Sequence, residues 1–340
     1  MPPLKHLTLI TSSGFPDYAL LDCGGGRKLE RFGRIVVDRP EPQALWQPRL
    51  SKGDWSKANA VFSASGEDDE KGKWRIDKPV PESWAVRLDM TSPSPPTVGG
   101  EGWGEGQQQF LAQAAAPHPN PLPARAGRGD SSVTMLCKLA GLWHLGLFPE
   151  QMPHWQWMLG ELAKVKGETP RVLNLFGYTG AASLLAAKTG ADLTHVDASK
   201  KAISWGKENQ TASKLDAAKI RWIVDDAAKF VAREVRRGKT YNMILVDPPK
   251  FGRGPEGEVW DLFTHLPGLL NDCAKLLAPN NAAMVLTVYA IRASALSFDQ
   301  LMRDTLKDKG GAYDSGELAI QAQSGLCVPT SLFVRWSTNI

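Results

Sequence analysis

Long apolar runs are missing from this chain of 340 residues: the longest, such as Met243–Val246 and Ala282–Val288, fall far short of the roughly 20 residues that span a bilayer. No membrane contact is expected. Cysteine is scarce, four in all (Cys23, Cys137, Cys273 and Cys327), with no CxxC pair and no His-linked cluster. Neither a zinc site nor a disulfide framework is indicated. His144, His154, His195 and His265 are scattered, without metal spacing. The opening MPPLKHLTLITSSG has too short an apolar run, and too little positive charge before it, for a secretory signal. The expected location is the cytoplasm. A strong excess of one charge is also lacking, since the net charge is +4. Lys+Arg against Asp+Glu is 17 against 17 over residues 1–150 and 23 against 19 over 151–340, so the excess sits wholly in the second part. That part includes KFVAREVRRGK (Lys229–Lys239), a pattern that favours a solvated helix face over a dedicated phosphate contact, which it also fits.

With 42% hydrophobic and 22% charged residues, the chain can bury a full core, and its length suggests about two domains. Two apolar runs flank Gly24–Gly26 in YALLDCGGGRKLERFGRIVVDRP, which predicts a β-hairpin with a Gly-rich turn. A second extended pair, Trp84–Met90 and Val133–Leu142, is separated by residues 92–131, which hold 7 of the 24 prolines and 7 of the 32 glycines. Such composition cannot form a packed core. Its PHPNPLPARAGRGD peptide resembles translated copies of dispersed repeat elements found inside proteobacterial genes, so 92–131 is expected to be a disordered insertion without function. Of the 12 tryptophans, 8 lie before residue 160, where core packing is favoured over stacking on unpaired bases.

From residue 151 the rhythm changes. A helical stretch, Pro153–Val165, leads to strand candidates Val172–Phe176, Asp192–Val196, Ile220–Val224, Met243–Val246 and Ala283–Val288, with helices predicted at Ala181–Lys188, Lys200–Ser213, Ala227–Arg237 and Val259–Leu277. A helix at Ser294–Lys309 and a strand at LFVRW follow. Alternation of this kind predicts an α/β fold, a doubly wound, mostly parallel Rossmann-like sheet. The domains expected are a small β-rich N-terminal one (1–91 plus 132–150), the insertion (92–131) and an α/β domain (151–340).

Four strand ends carry the chemistry. In VLNLFGYTGAAS a strand runs into a turn with Gly177 and Gly180 and then into a helix, whose free N–H groups and dipole suit an anionic ligand. A dinucleotide fingerprint needs GxGxxG, but Thr179 stands at its second glycine and the stretch up to Ser183 holds no glycine at its third. Pyrophosphate would fit poorly, and a ligand with a carboxylate and an amino group fits better, which disfavours an NAD-dependent oxidoreductase. In THVDASKKA, Asp197 ends the second strand, where an acidic side chain can accept both hydroxyls of a ribose or cap the next helix. In WIVDDAAKF, one of Asp225 and Asp226 can bond an adenine amino group while the other caps a helix, with Asp226 favoured for adenine. In MILVDPPKFGRG a strand delivers Asp247 to the sheet edge and Pro248 and Pro249 fix two φ angles. Carbonyls so held can orient an amino or ring nitrogen, and Phe251 can stack on a flat base.

Together NLFGYTG, the Asp197 strand end, DDA and DPPKF resemble the class I S-adenosylmethionine-dependent methyltransferases. More closely they resemble the bacterial ribosomal-RNA large-subunit methyltransferases that make 5-methylcytosine or 7-methylguanine, over residues 133–340. HLGLFPEQMPHW resembles the lead-in to that catalytic domain, and KLERFG with RPEPQALW resembles the small N-terminal domain of an uncharacterised branch. The resemblance implies S-adenosylmethionine as cofactor and ribosomal RNA as partner. It assigns Asn174, Phe176, Gly177, Tyr178, Thr179 and Gly180 to the methionine part, Asp197 to the ribose and Asp226 to the adenine. Asp247, Pro248, Pro249, Lys250 and Phe251 then face the methyl group and the acceptor, with Lys250 touching a phosphate or the acceptor's carbonyl. One departure matters. Relatives that make 5-methylcytosine carry a nucleophilic cysteine in a Ser-Cys-Ser run after the fifth strand, whereas this chain reads LTVYAIRAS, with Tyr289. Without a thiolate, cytosine C5 is not reactive enough, so transfer to nitrogen or oxygen is expected. Cys327 is a lesser candidate nucleophile. A module that binds cofactor and RNA without transfer is the competing reading.

Overall fold

The computed structural model describes residues 6–65, 68–90, 132–141, 143–289 and 291–338. The segment 92–131 lies outside them. The chain divides into two compact units, one of residues 10–153 with 319–329, the other of 1–9, 154–318 and 330–340. Residues 319–329, which the sequence alone assigns to the C-terminal domain, thus group with the β-rich unit. The cause is a long-range pairing that no local pattern announces, in which the Gln323 and Ser324 N–H groups donate to the carbonyls of Leu20 and Leu21.

In the β-rich unit, β2 (Tyr18–Gly24), β3 (Arg27–Phe32), β4 (Ile35–Pro40), β5 (Ala60–Ser65) and β6 (Asp68–Ile76) form a five-stranded sheet in sequence order, with the single-turn helix α1 (Lys52–Trp55) between β4 and β5. β2 and β3 are the hairpin expected from the glycines, with Gly25 and Gly26 at φ 59° and 74° in its turn. β7 (Trp84–Leu88) pairs antiparallel with β8 (Val133–Cys137). Four tryptophans donate their indole N–H inside the unit: Trp46 to the Cys23 carbonyl, Trp55 to Asp22, Trp74 to the Ala140 carbonyl and Trp84 to the Phe32 carbonyl. These indoles brace the unit internally, as packing residues do.

The second unit holds α2 (Met152–Leu162), then β9 (Arg171–Leu175), α3 (Ala181–Lys188), β10 (Asp192–Asp197), α4 (Lys200–Ala212), β11 (Ile220–Val224), α5 (Ala227–Arg236) and β12 (Met243–Val246). After a short hairpin, β13 (Phe251–Arg253) and β14 (Val259–Asp261), come α6 (Leu262–Leu276), β15 (Ala283–Tyr289), α7 (Ala295–Thr305), β16 (Ala312–Gln321) and β17 (Cys327–Ser337), the end of β16 from 319 and the start of β17 to 329 grouping with the β-rich unit. In the large sheet the strands run β16-β17-β15-β12-β9-β10-β11, with β1 (Thr8–Ser12) beside β16. From β15 to β11 all neighbours are parallel, and β17 pairs antiparallel with β15. Every residue of β12 is buried, as expected for a parallel strand covered on both faces. Alternation along the strands sends Leu173, Leu175, Ile244 and Val246 into a core with Phe230, Leu266, Leu270 and Phe298 of the helices. Asn174 and His195, one residue out of phase with that set, point to the opposite face.

One element differs from the sequence expectation. The predicted helix Val259–Leu277 begins at Leu262, because Asp261 caps it by accepting the Thr264 N–H at 2.9 Å, and Val259–Asp261 pair as a strand with Phe251–Arg253. The apolar spacing of Val259 and Leu262 mimics a helical turn, and only the cross-strand partner reveals the hairpin. No helix among the described residues is long and apolar enough to cross a membrane.

Candidate active site

The four motifs converge because parallel strands end on one edge. β9 lies between β10 and β12, with Asn174 beside His195 on one side and Leu245 on the other. The glycine turn after β9 therefore has Asp197, Asp225 and Asp226 on one side and Asp247 on the other. This is the point where successive connections from the sheet diverge, the usual ligand crevice of doubly wound sheets.

Residues Phe176 to Gly180 hold an uncommon backbone. Phe176 and Tyr178 sit at φ 56° and 50°, and Gly180 at 89°. Non-glycine residues in the left-handed region persist only where their surroundings over-determine them. Here the Tyr178 N–H donates to Asp197 at 2.9 Å, the Gly177 N–H to the Val196 carbonyl at 3.1 Å, and Asn209 Nδ2 to the Thr179 carbonyl at 2.9 Å. α3 then starts after Gly180, its N-cap, with no side chain capping it, so its first N–H groups face outward from the helix end, where an anion can be met.

Beneath the turn lies a polar strut that sequence reasoning missed. Asn174 Nδ2 donates to Ser183 Oγ at 2.9 Å, and Ser183 Oγ is 2.8 Å from His195 Nδ1. The His195 ring is buried and lies 4.4 Å, centroid to centroid, from Trp222. Burial holds its imidazole neutral, down to about 3. The strut accounts for two residues of the turn. Ser183, one position past the third glycine's place, lends its hydroxyl to the strut, and Gly177 is small because a Cβ there would stand 2.4 Å from His195 Cε1 and 2.9 Å from Asn174 Nδ2. A Cβ at Gly180 would meet the Trp222 ring at 2.7 Å.

The carboxylates divide their duties in ways only the structure decides. Asp197 accepts the Tyr178 N–H through one oxygen and the Ser199 N–H through the other, at 2.9 and 2.8 Å, while Ser199 itself caps α4. Burial raises its carboxyl pKa against the lowering effect of those two N–H groups. Asp226 is the cap of α5, accepting the Lys229 N–H at 2.9 Å through a single oxygen. Asp225 accepts the Asp226 N–H and pairs with Arg233, so it is the more committed of the two.

Asp247 is half-buried at the end of β12, Pro248 is buried, and Pro249, Lys250 and Phe251 are exposed. The two proline carbonyls are not equivalent: that of Pro249 accepts the Trp260 indole N–H at 2.7 Å, which leaves the Pro248 carbonyl as the uncommitted one. Trp260 is buried, with ring centroids 5.1 Å from Phe176 and 5.7 Å from His265. It thus links the DPPKF loop to the glycine turn. No sequence feature marks it until β13 and β14 are seen to pair. Cys327 belongs to the β-rich unit and its thiol is pushed up by burial; Cys273, the one cysteine of the other unit, is fully buried and pushed up far more strongly.

A family model for S-adenosylmethionine-dependent methyltransferases matches residues 146–309. The crystal structure of the S-adenosylmethionine-dependent methyltransferase from Agrobacterium tumefaciens is 42% identical, with a TM-score of 0.81, over 97% of this chain and 93% of that one. The chain belongs to the S-adenosylmethionine-dependent methyltransferases, and it is an enzyme that uses S-adenosylmethionine. Among curated relatives, ribosomal RNA large subunit methyltransferase K/L of Shewanella frigidimarina is 37% identical over 125 residues, 36% of this chain and 17% of that protein. Ribosomal RNA large subunit methyltransferase I of Tolumonas auensis is 42% identical over 82 residues, 24% of this chain and 21% of that protein. The chain thus spans only about a fifth of the length of these two relatives.

Proposed function

We propose that the enzyme methylates a base of ribosomal RNA in the cytoplasm, at a nitrogen and not at cytosine C5. The observation that carries the choice of atom is the placement of the cysteines. C5 transfer needs a thiolate to add to the base, whereas the only cysteine of the methyltransferase unit, Cys273, is sealed in α6 with its thiol pushed up. A ring or exocyclic nitrogen has its own lone pair and needs positioning alone. The acceptor class follows from the ribosomal RNA methyltransferases to which the chain is similar.

The donor set fits the cofactor. The turn at Phe176–Gly180 and the uncapped start of α3 suit its carboxylate, Asp197 suits the ribose hydroxyls, and the second oxygen of Asp226 suits the adenine amino group. When bound, S-adenosylmethionine supplies a methyl group on a sulfonium. Asp247 and the Pro248 carbonyl then accept hydrogen bonds from the acceptor's amino or ring N–H, turning its lone pair toward the methyl group. Alignment of this kind contributes several kcal/mol to rate, about 7–11 in the best intramolecular cases. Lys250 contacts a phosphate or a base carbonyl, and Phe251 stacks on a base turned out of its helix.

Mass spectrometry of nucleosides in ribosomal RNA from cells with and without the gene tests the reading; one methylated nucleoside is expected to disappear, with nitrogen as the methyl-bearing atom. The purified Asp247→Ala variant is expected to transfer methyl about a hundredfold more slowly to that RNA while still binding S-adenosylhomocysteine. Unchanged transfer would remove Asp247 from the reaction. Trp260→Phe keeps a ring against Phe176 and His265 and deletes only the bond to Pro249. Its kcat is expected to fall about tenfold with the S-adenosylhomocysteine Kd unaltered, since the acceptor loop and not the cofactor turn loses its tie. Equal loss in both quantities would mean that the ring, and not the indole N–H, holds the site.

A further inference from the structure

The ribbon of β13 and β14 has two unlike faces. Its pairing sets Phe251 opposite Asp261, Gly252 opposite Trp260 and Arg253 opposite Val259. Residues directly opposite share a face, and successive residues alternate. Trp260 and Gly252 therefore face inward: Trp260 is buried, and a Cβ at Gly252 would stand 3.4 Å from the Pro249 ring. The outward face carries Phe251, Arg253 and Val259, with Phe251 63% and Val259 64% exposed. Phe263, in the first turn of α6, is 56% exposed. Three of the eight large exposed hydrophobic side chains among the described residues thus fall between positions 251 and 263. So dense a patch on a soluble surface calls for a partner.

The charges narrow the kind of partner. The ribbon's acidic groups each have a partner within the chain at its surface, Glu256 and Glu258 with Lys229, and Asp261 with the N–H and hydroxyl of Thr264. Lys250 and Arg253 join no ion pair among the described residues, and Lys250 Nζ stands 5.0 Å from the centre of the Phe251 ring. An apolar protein surface would strip water from these two cations without compensation. Unpaired bases and their phosphates answer rings and cations together, whereas the bases of a duplex are already stacked on one another.

We propose that the outward face of the 251–261 ribbon, extended by Phe263, docks a single-stranded stretch of the acceptor RNA, with the turned-out target base stacked on Phe251, a base next to it stacked on Phe263, and phosphates against Lys250 and Arg253. The proposal rests on RNA being the acceptor. Its test compares the full-length enzyme with the double variant Arg253→Glu/Phe263→Ser. Both side chains are exposed and lie outside the cofactor site, so the S-adenosylhomocysteine Kd is expected to stay unchanged and reports an intact fold. Anisotropy with a fluorescein-labelled single-stranded RNA decamer of mixed sequence is expected to show at least a tenfold loss of affinity and a shallower salt dependence in the variant, the decamer's duplex binding more weakly to the wild type. Methyl transfer to ribosomal RNA from cells lacking the gene is expected to fall in step. If the wild type methylates that RNA and the variant binds and methylates equally well, the docking surface is wrong and the proposed function stands. Should the wild type methylate no RNA, both fall. A wild type that ignores the decamer but sediments as a dimer, with the variant a monomer, would give the face to a second copy of the chain instead.

Discussion

Gly177→Ala is expected to weaken S-adenosylhomocysteine binding about a hundredfold and to lower the melting temperature by several degrees. The added Cβ would stand 2.4 Å from Cε1 and 2.7 Å from Nδ1 of His195. That ring has nowhere to go, being buried, bonded to Ser183 and set against Trp222. Overpacking of a fixed interior costs about 1–3 kcal/mol. If the turn moves instead of the ring, a displacement of about 1 Å at Tyr178 and Gly180 is enough for a loss on the order of a hundredfold. The partner variant decides between the ring and the backbone as the cause. In Gly177→Ala/His195→Ala the clash with the ring is gone and only the 2.9 Å approach to Asn174 Nδ2 remains, so calorimetric affinity is expected to recover in part relative to Gly177→Ala, with a favourable interaction energy in the double-mutant cycle. A Gly177→Ala enzyme that binds as the wild type does would show that the turn does not rest on His195.

Mild acid is expected to destabilise the methyltransferase unit steeply, by about 3 kcal/mol per pH unit below pH 6. His154 and His195 are both buried in that unit. Burial holds His195 down to about 3, and burial reinforced by the neighbouring Arg335 cation holds His154 well below its ordinary value. The unfolded chain takes up both protons as pH falls through about 6.5, and the folded unit does not. Stability is therefore full above that value and is lost as pH falls toward the folded values, with a slope of about 1.4 kcal/mol per pH unit for each proton bound only by the unfolded chain. Between pH 7.5 and 5 the loss comes to about 4 kcal/mol, a large share of an ordinary domain's 5–15. Most carboxylates titrate below this window. Urea unfolding at pH 7.5, 6 and 5, followed by hydrogen exchange in β9 and β10, measures it. His195→Gln, which does not titrate, is expected to halve the slope, and a flat profile in the wild type would show that the imidazoles are not held neutral.

Much of the sheet could be read from local pattern because strand periodicity and strand-end chemistry are local properties. β9, β10, β11 and β12 end where the apolar runs end, and each delivers its polar motif to the same edge because parallel strands must. The helices are likewise marked by their caps, Ser199 for α4 and Ser294 for α7. Val259 misleads because an apolar residue three positions before Leu262 fits a helix as well as a strand. Its partner, Arg253, is what decides.

By itself the sequence determined the doubly wound sheet, the order of the four strand-end motifs and the mismatch with a pyrophosphate-binding turn. It also determined that no cysteine stands in the stretch LTVYAIRAS at the end of the fifth strand. Tertiary structure decided the rest: that Gly177 and Ser183 serve a buried histidine, that Asp226 caps α5 while Asp225 pairs with Arg233, and that Pro249 gives its carbonyl to Trp260. It also decided that residues 319–329 join the β-rich unit. Each of these depends on which groups distant in sequence come within hydrogen-bond or van der Waals reach. Hydrophobic periodicity carries one bit per residue, inward or outward, and does not name the neighbour that is met there.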